Sequence, residues 1–312
     1  MKIIFFGSSY FAVPLLSALL SSGYKPSCVV TQPDKHKGRG FKLSGTEVKE
    51  TALKHKLAVY QPQNVNSADA IDFLKAKKPD LFIVVAYGQI LSDSILSIPK
   101  IFSLNIHASL LPQYRGAAPV KWAIINGEAV TGVTAIKMIK KMDAGPIIFQ
   151  EKVDVDPRDT GITLEGKLIK TGTNVLLAAL RLIEDNRYCL SFQDETKATY
   201  APSLQKESGK IDWDKPAEEI YNLIRGCLKR PGAFTYLDKK RIKIYTSEMA
   251  SFPGAQKYAP GEIIAVSKNG IGIASGKGTL LIKELQPEGR RIMSAAEFIA
   301  GHKIKVGDIL NV

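Results

Sequence analysis

Over roughly the first 200 residues, short apolar runs rich in β-branched and aromatic residues alternate with stretches whose apolar positions recur at helical spacing. Few architectures accept that alternation. Strands that are apolar along their whole length must be covered on both faces, and helices that connect parallel strands supply the cover. The pattern predicts strands at Lys2–Phe6, Ser27–Thr31, Asp80–Ala86 and Ser103–His107, and helices at Tyr10–Ser21 and about Glu47–Lys56. A short helix near Val120–Asn126, a hairpin-like pair at Val130–Ile139 and Pro146–Val155, and a long helix from Thr163 to Glu184 complete the unit.

The composition then changes. Thr196–Asp214 is polar and carries Pro202, Gly209 and several lysines, as an inter-domain linker does. Beyond it, Ala217–Leu228 has helical spacing, and five short strand candidates follow at Ala233–Leu237, Ile242–Thr246, Glu262–Val266, Ile271–Ala274 and Thr279–Leu285. Short strands separated by glycine-rich turns suggest a small antiparallel barrel. The division expected is residues 1–200 as one domain, 201–214 as linker and 215–312 as a second domain.

Several function classes lose ground on composition. The longest apolar runs, such as Leu81–Ala86, fall well short of the roughly 18–20 residues that a membrane helix needs, so no membrane span is expected. The opening Met1–Gly7 is too short in apolar residues for a secretory signal, and a cytoplasmic, monomeric protein is expected. Cys28, Cys189 and Cys227 are odd in number and far apart, and His36, His55, His107 and His302 are scattered without ligand spacing, so no metal is expected. The formal net charge of +13 suits either a polyanionic partner or simply a basic solvated surface.

The chemistry is concentrated in one stretch. The first glycine turn, Gly7-Ser8-Ser9, lacks the Gly-x-Gly-x-x-Gly pattern, and there is no Gly-Lys-Ser/Thr loop, which argues against dinucleotides and nucleoside triphosphates. In Leu104–Pro112, a strand reading puts Asn105 and His107 on one face, at the carboxyl end where open α/β sheets bind ligands. An amide NH₂ beside an imidazole suits an oxyanion developing on a carbonyl carbon. Taken alone, the same pair also suits the satisfaction of buried backbone groups.

The segment Ser109-Leu110-Leu111-Pro112-Gln113-Tyr114-Arg115-Gly116-Ala117-Ala118-Pro119, with Met142-Asp143-Ala144-Gly145-Pro146-Ile147 some thirty residues on, closely resembles the formyltransferases that use 10-formyltetrahydrofolate. The resemblance implies Asn105, His107 and Asp143 as the catalytic residues. Asn105 and His107 would hold the oxyanion, and Asp143 would support His107 and accept the proton of the attacking amine. It also implies folate contacts at Gln89, Ile90, Leu91, Ser109, Leu110, Leu111 and Pro112, with the folate as co-substrate. The fold class implied is α/β: a Rossmann-like, mostly parallel sheet with helices on both faces, followed by a smaller OB-like barrel.

Three further stretches resemble the members of that family that act on initiator methionyl-tRNA. Gln32–Leu43 is similar to their basic insertion, Tyr200–Trp213 to their linker, and Arg230–Thr235 to the opening of their C-terminal domain; Cys227-Leu228-Lys229 departs from the usual pattern. The tRNA contacts implied are Lys35, Lys37, Arg39, Lys42, Lys206 and Lys210, with the barrel contributing. Judged without the family, Lys35, Lys37, Arg39 and Lys42 fall in one acid-free stretch with glycines on both sides of the arginine, which suits a nucleic-acid backbone or a solvated loop. Phe41 could stack on a base or anchor the loop. Trp122 and Trp213 are expected in packing rather than in base stacking.

Overall fold

The computed structural model describes residues 1–37 and 42–311, excepting the side chains of Lys37 and Lys42. Gly38, Arg39, Gly40 and Phe41 therefore lie outside the described residues. The chain divides into two compact units. The first comprises residues 1–116, 130–154 and 165–200, and the second residues 117–129, 155–164 and 201–312.

In the first unit a seven-stranded sheet runs in the order β5-β2-β1-β6-β7-β8-β9. Its strands are β1 (Ile3–Gly7), β2 (Cys28–Val30), β5 (Val59–Tyr60), β6 (Leu81–Val85), β7 (Phe102–His107), β8 (Val130–Lys137) and β9 (Ile147–Asp154). The first five in spatial order are mutually parallel; β8 then pairs antiparallel with β7, and β9 antiparallel with β8. Every residue of β1 and β6 is buried, as strands covered on both faces must be, and each of their Ile, Leu, Val and Phe side chains contributes about 1.5–3 kcal/mol on burial. A separate hairpin is formed by β3 (Lys35–Lys37) and β4 (Lys42–Ser44).

The helices are α1 (Ala12–Ser21), α2 (Glu47–Lys54), α3 (Ala68–Ala76), α4 (Asp93–Leu96) and the long α6 (Gly161–Glu184), with α5 (Pro119–Ile125) and residues 161–164 of α6 falling in the second unit. Thr46 and Ser67 cap α2 and α3 by accepting the backbone N–H three residues on, which satisfies a donor that the helix cannot. The β3–β4 hairpin, β5, α3 and α4 go beyond the elements expected from sequence. Each is short, with few periods of apolar spacing to announce it. Strand order reverses direction at β1 and β6, and a crevice at the carboxyl ends follows from that reversal.

The second unit is built on β10 (Ala233–Leu237), β11 (Lys240–Met249), β12 (Ile263–Ser267), β13 (Gly270–Ala274) and β14 (Thr279–Pro287), paired antiparallel in the order β10-β11-β14-β13-β12, with β15 (Met293–Ser294) beside β14. All five expected strands are present. The two outer strands are joined through the C-terminal segment, where Ile309 bridges Glu262 and Asn311 bridges Tyr236, so the sheet closes into a barrel. The helices α7 (Ala217–Gly226) and α8 (Ala295–Gly301) accompany it. Ile211 and Trp213, within the polar stretch before α7, are core residues of this unit, and the Trp213 indole donates to the Thr235 hydroxyl at 3.0 Å. Trp122 on α5 donates to the Pro202 carbonyl at 2.8 Å, also a packing role.

Candidate active site

The site is built from the end of β7 outward. Alternation along the strand puts the side chains of Asn105 and His107 on one face. Asn105 is opposite Val84 of β6, and its Nδ2 donates to the Val84 carbonyl at 3.2 Å. That bond directs the Oδ1 away, and this oxygen is buried with no hydrogen-bond partner among the described residues. Burying an unpaired acceptor costs about 1–3 kcal/mol.

His107 is 7% exposed, and its Nε2 stands 2.9 Å from the Tyr114 carbonyl oxygen. A carbonyl can only accept, so Nε2 carries the proton, and Nδ1 is the nitrogen left for other chemistry. Nδ1 faces the Asp143 Oδ2 at 3.7 Å, beyond a direct hydrogen bond but well inside the range of charge interaction. The same carboxylate oxygen accepts the Gly116 N–H at 2.9 Å.

Asp143 lies on the connection between β8 and β9 with a positive φ of 50°, and Tyr114 also has a positive φ, of 60°. Non-glycine residues held in that region cluster at functional sites. Two residues on, Gly145 is seated against β8, where a Cβ would overlap the Lys137 carbonyl oxygen. The turn is thus flush with the sheet, and no other residue fits there.

The loop after β7 is shaped by Thr134 of β8. Its hydroxyl donates to the Ser109 carbonyl at 2.6 Å and accepts from the Leu111 N–H at 3.1 Å and the Gln150 amide at 2.7 Å. One donor and two acceptor positions are all in use, which pins residues 109–111 to the sheet.

The residues expected from sequence are distributed as follows. His107 and Asp143 come together, and Asn105 lies two residues before His107 on the same face of β7. Ser109 is fully buried and donates its hydroxyl to the Gln113 carbonyl, and Leu111 is 3% exposed, whereas Leu110 and Pro112 are partly exposed. Leu91 is a core residue, Ile90 is 73% exposed, and the Gln89 side chain accepts the Val65 N–H and donates to the carbonyls of Pro62 and Gln63. Lys35 donates to Gln32 at 2.7 Å, and Lys206 and Lys210 are exposed in the second unit. Arg39 lies outside the described residues.

Sequence reasoning missed Gln193 and Glu195. Both lie in a polar stretch far along the chain from Asp143, with no motif around them. The one signal was Arg115, a buried arginine in the making, since a guanidinium at 1% exposure requires acceptors from elsewhere. Among the described residues no group of three or more His, Cys, Asp or Glu could hold a metal ion. No helix among them is long and apolar enough to cross a membrane.

Residues 1–180 match the family described as formyl transferase, and residues 203–303 match the formyl transferase C-terminal domain. The methionyl-tRNA formyltransferase of Alkaliphilus oremlandii is 43% identical over 310 residues, covering 99% of this chain and 99% of that protein. The enzyme of the same name from Caldanaerobacter subterraneus is 42% identical over 311 residues, covering 99% and 100%. Among solved structures, an N-formyltransferase from Helicobacter canadensis in complex with folinic acid and dTDP-3-aminofucose shares the fold, with a TM-score of 0.66 at 20% identity, over 92% of this chain and 99% of that one. With both parts matched and such relatives aligned along its whole length, the chain belongs to the formyltransferase family.

Proposed function

We propose that this protein transfers the formyl group of 10-formyltetrahydrofolate to the α-amine of methionine esterified to initiator tRNA, as a cytoplasmic monomer. The observation that carries the reading is the approach of Asp143 to His107 at the end of β7, with Asn105 on the same face of that strand. The acceptor is supported by full-length relatives named methionyl-tRNA formyltransferase.

The neutral amine attacks the formyl carbon, so that a new N–C bond forms and the C=O becomes an oxyanion. Asn105 has one amide hydrogen beyond the one given to Val84, and this hydrogen donates to the oxyanion. His107, with Nε2–H committed to Tyr114, acts through Nδ1, which faces the Asp143 carboxylate. The pair takes the proton that the amine loses and returns one to the departing folate nitrogen as the C–N bond breaks. Protons and bonds balance without a covalent enzyme intermediate.

The folate is held along Gln89–Leu91 and Ser109–Pro112. Given the burial of Leu91, Ser109 and Leu111, their contribution is to shape the surface, while Ile90, Leu110 and Pro112 offer apolar contact. The tRNA is held by Lys35, Lys37, Arg39, Lys42, Lys206 and Lys210 through its phosphates. The test is a transfer assay with labelled formyl-folate and four acceptors: charged initiator tRNA, uncharged tRNA, free methionine and a small amino sugar. Transfer is expected to charged tRNA alone. Preferential labelling of the amino sugar would replace the proposed acceptor, and release of free formate with every acceptor would make the protein a hydrolase.

A further inference from the structure

Gln193 uses every hydrogen-bonding position of its side chain at the Asp143 turn. Its Oε1 accepts from Arg115 Nε at 3.1 Å and Nη2 at 2.8 Å, and its Nε2 donates to the carbonyl oxygens of Asp143 at 2.8 Å and Gly145 at 2.7 Å. A guanidinium has donors only, so Arg115 dictates which end of the amide faces it, and the NH₂ must face the turn. Arg115 is itself fixed, because Nη1 and Nη2 donate to the Glu195 carboxylate at 3.0 and 2.9 Å. Lys141, just ahead of the turn, reaches the same carboxylate at 2.6 Å. Immediately after Arg115, the Gly116 N–H holds the Asp143 carboxylate.

We propose that Gln193, oriented by Arg115, is a positioning residue for formyl transfer. It holds the Asp143 backbone in its positive-φ conformation so that the carboxylate faces His107. The Arg115–Gly116 segment thereby controls Asp143 twice, through its backbone by way of Gln193 and through its side chain directly. Gln193 touches neither His107 nor Asn105 in the hydrogen bonds it makes, so its effect on the reaction passes through Asp143. The inference rests on the proposed role of Asp143 as a proton-handling group.

Gln193→Glu is the discriminating change. It keeps the size and the acceptor for Arg115, yet sets an oxygen against two carbonyls and removes both donors to the turn. In the labelled-formyl assay with charged initiator tRNA, kcat is expected to fall about 10–100-fold, with the KM for folate within about two-fold and the melting temperature little changed. In an Asp143→Asn background the same change should cost less than about two-fold, because a residue that acts through Asp143 has nothing left to position. An unchanged kcat, or the same fractional loss in both backgrounds, overturns the positioning role while leaving Asp143 in place. A wild-type rate for Asp143→Asn alone overturns the reading of Asp143 and the positioning role with it. Should Gln193→Glu not fold, Arg115→Lys, which keeps the charge but loses the fork that orients the amide, decides by the same comparison.

Discussion

The Gly116 N–H donates to the Asp143 Oδ2 at 2.9 Å, and that same oxygen lies 3.7 Å from the His107 Nδ1. One carboxylate oxygen is therefore fixed by a backbone donor while it faces a titratable ring. Asp143→Asn keeps the shape and removes the charge. It should depress the chemical step and abolish one limb of the kcat pH profile, measured under saturating tRNA and folate. A normal rate with an unaltered profile would assign Asp143 to structure alone.

Asn105→Ala removes both the oxyanion donor and the buried acceptor. The expected loss in kcat is about 10²–10³-fold, or about 2.7–4 kcal/mol, with folate affinity little altered, as read by steady-state kinetics beside equilibrium folate binding. A loss confined to KM contradicts the assignment. Combined with His107→Ala, the total should fall short of the sum, since both serve one transition state.

Arg39 separates the tRNA acceptor from small amines. Arg39→Ala should weaken use of charged tRNA by about 1–3 kcal/mol, more than any single lysine change in the same stretch, and leave folate binding intact. Loss of one phosphate contact should also flatten the log–log salt dependence by about one unit. Initial rates against tRNA concentration at several salt levels provide the measurement, and identical KM and slope for both proteins would leave the loop a solvated surface feature.

The hydrogen bond from Arg115, and after it that from Lys141, holds the Glu195 carboxyl down at about 2, against an ordinary value of 4.5. The folded value is the lower of the two, so the stabilisation from this clamp is complete above about pH 4.5 and is lost as the pH falls through about 2. A carboxyl-detected NMR titration should therefore find Glu195 charged throughout the range in which the enzyme works, and Lys141→Ala should move its midpoint upward. A wild-type midpoint near 4.5 would mean that the clamp does not form in solution.

Closure of the barrel depends on residues 308–311, whose backbone bonds reach both outer strands and whose Leu310 is 7% exposed. Deleting residues 308–312 exposes two strand edges and should lower the stability of the second unit and raise its tendency to aggregate. Calorimetry and light scattering test this, and a melting profile identical to wild type would show that the five strands suffice.

The sequence by itself determined what local pattern and composition can carry. The short, β-branched and aromatic apolar runs Ile3–Phe6 and Leu81–Val85 read as covered strands, and the period-two placement of Asn105 and His107 puts them on one face before any partner is known. The short antiparallel strands of the second unit were equally legible from their turns. Tertiary structure decided everything that depends on distant partners. Gln193 and Glu195 sit in a polar stretch with no periodicity, and their role exists only because Arg115 is buried and must find acceptors. The orientation of His107 follows from the Tyr114 carbonyl, and the buried, unpartnered acceptor of Asn105 from Val84 on a neighbouring strand. Likewise Ile211 and Trp213 read as linker from their polar neighbours but are core, because burial is set by what the barrel brings to them. Hydrophobic periodicity is a one-dimensional signal, whereas hydrogen-bond satisfaction is settled between groups far apart in the chain, and the second is what aligns the reacting groups.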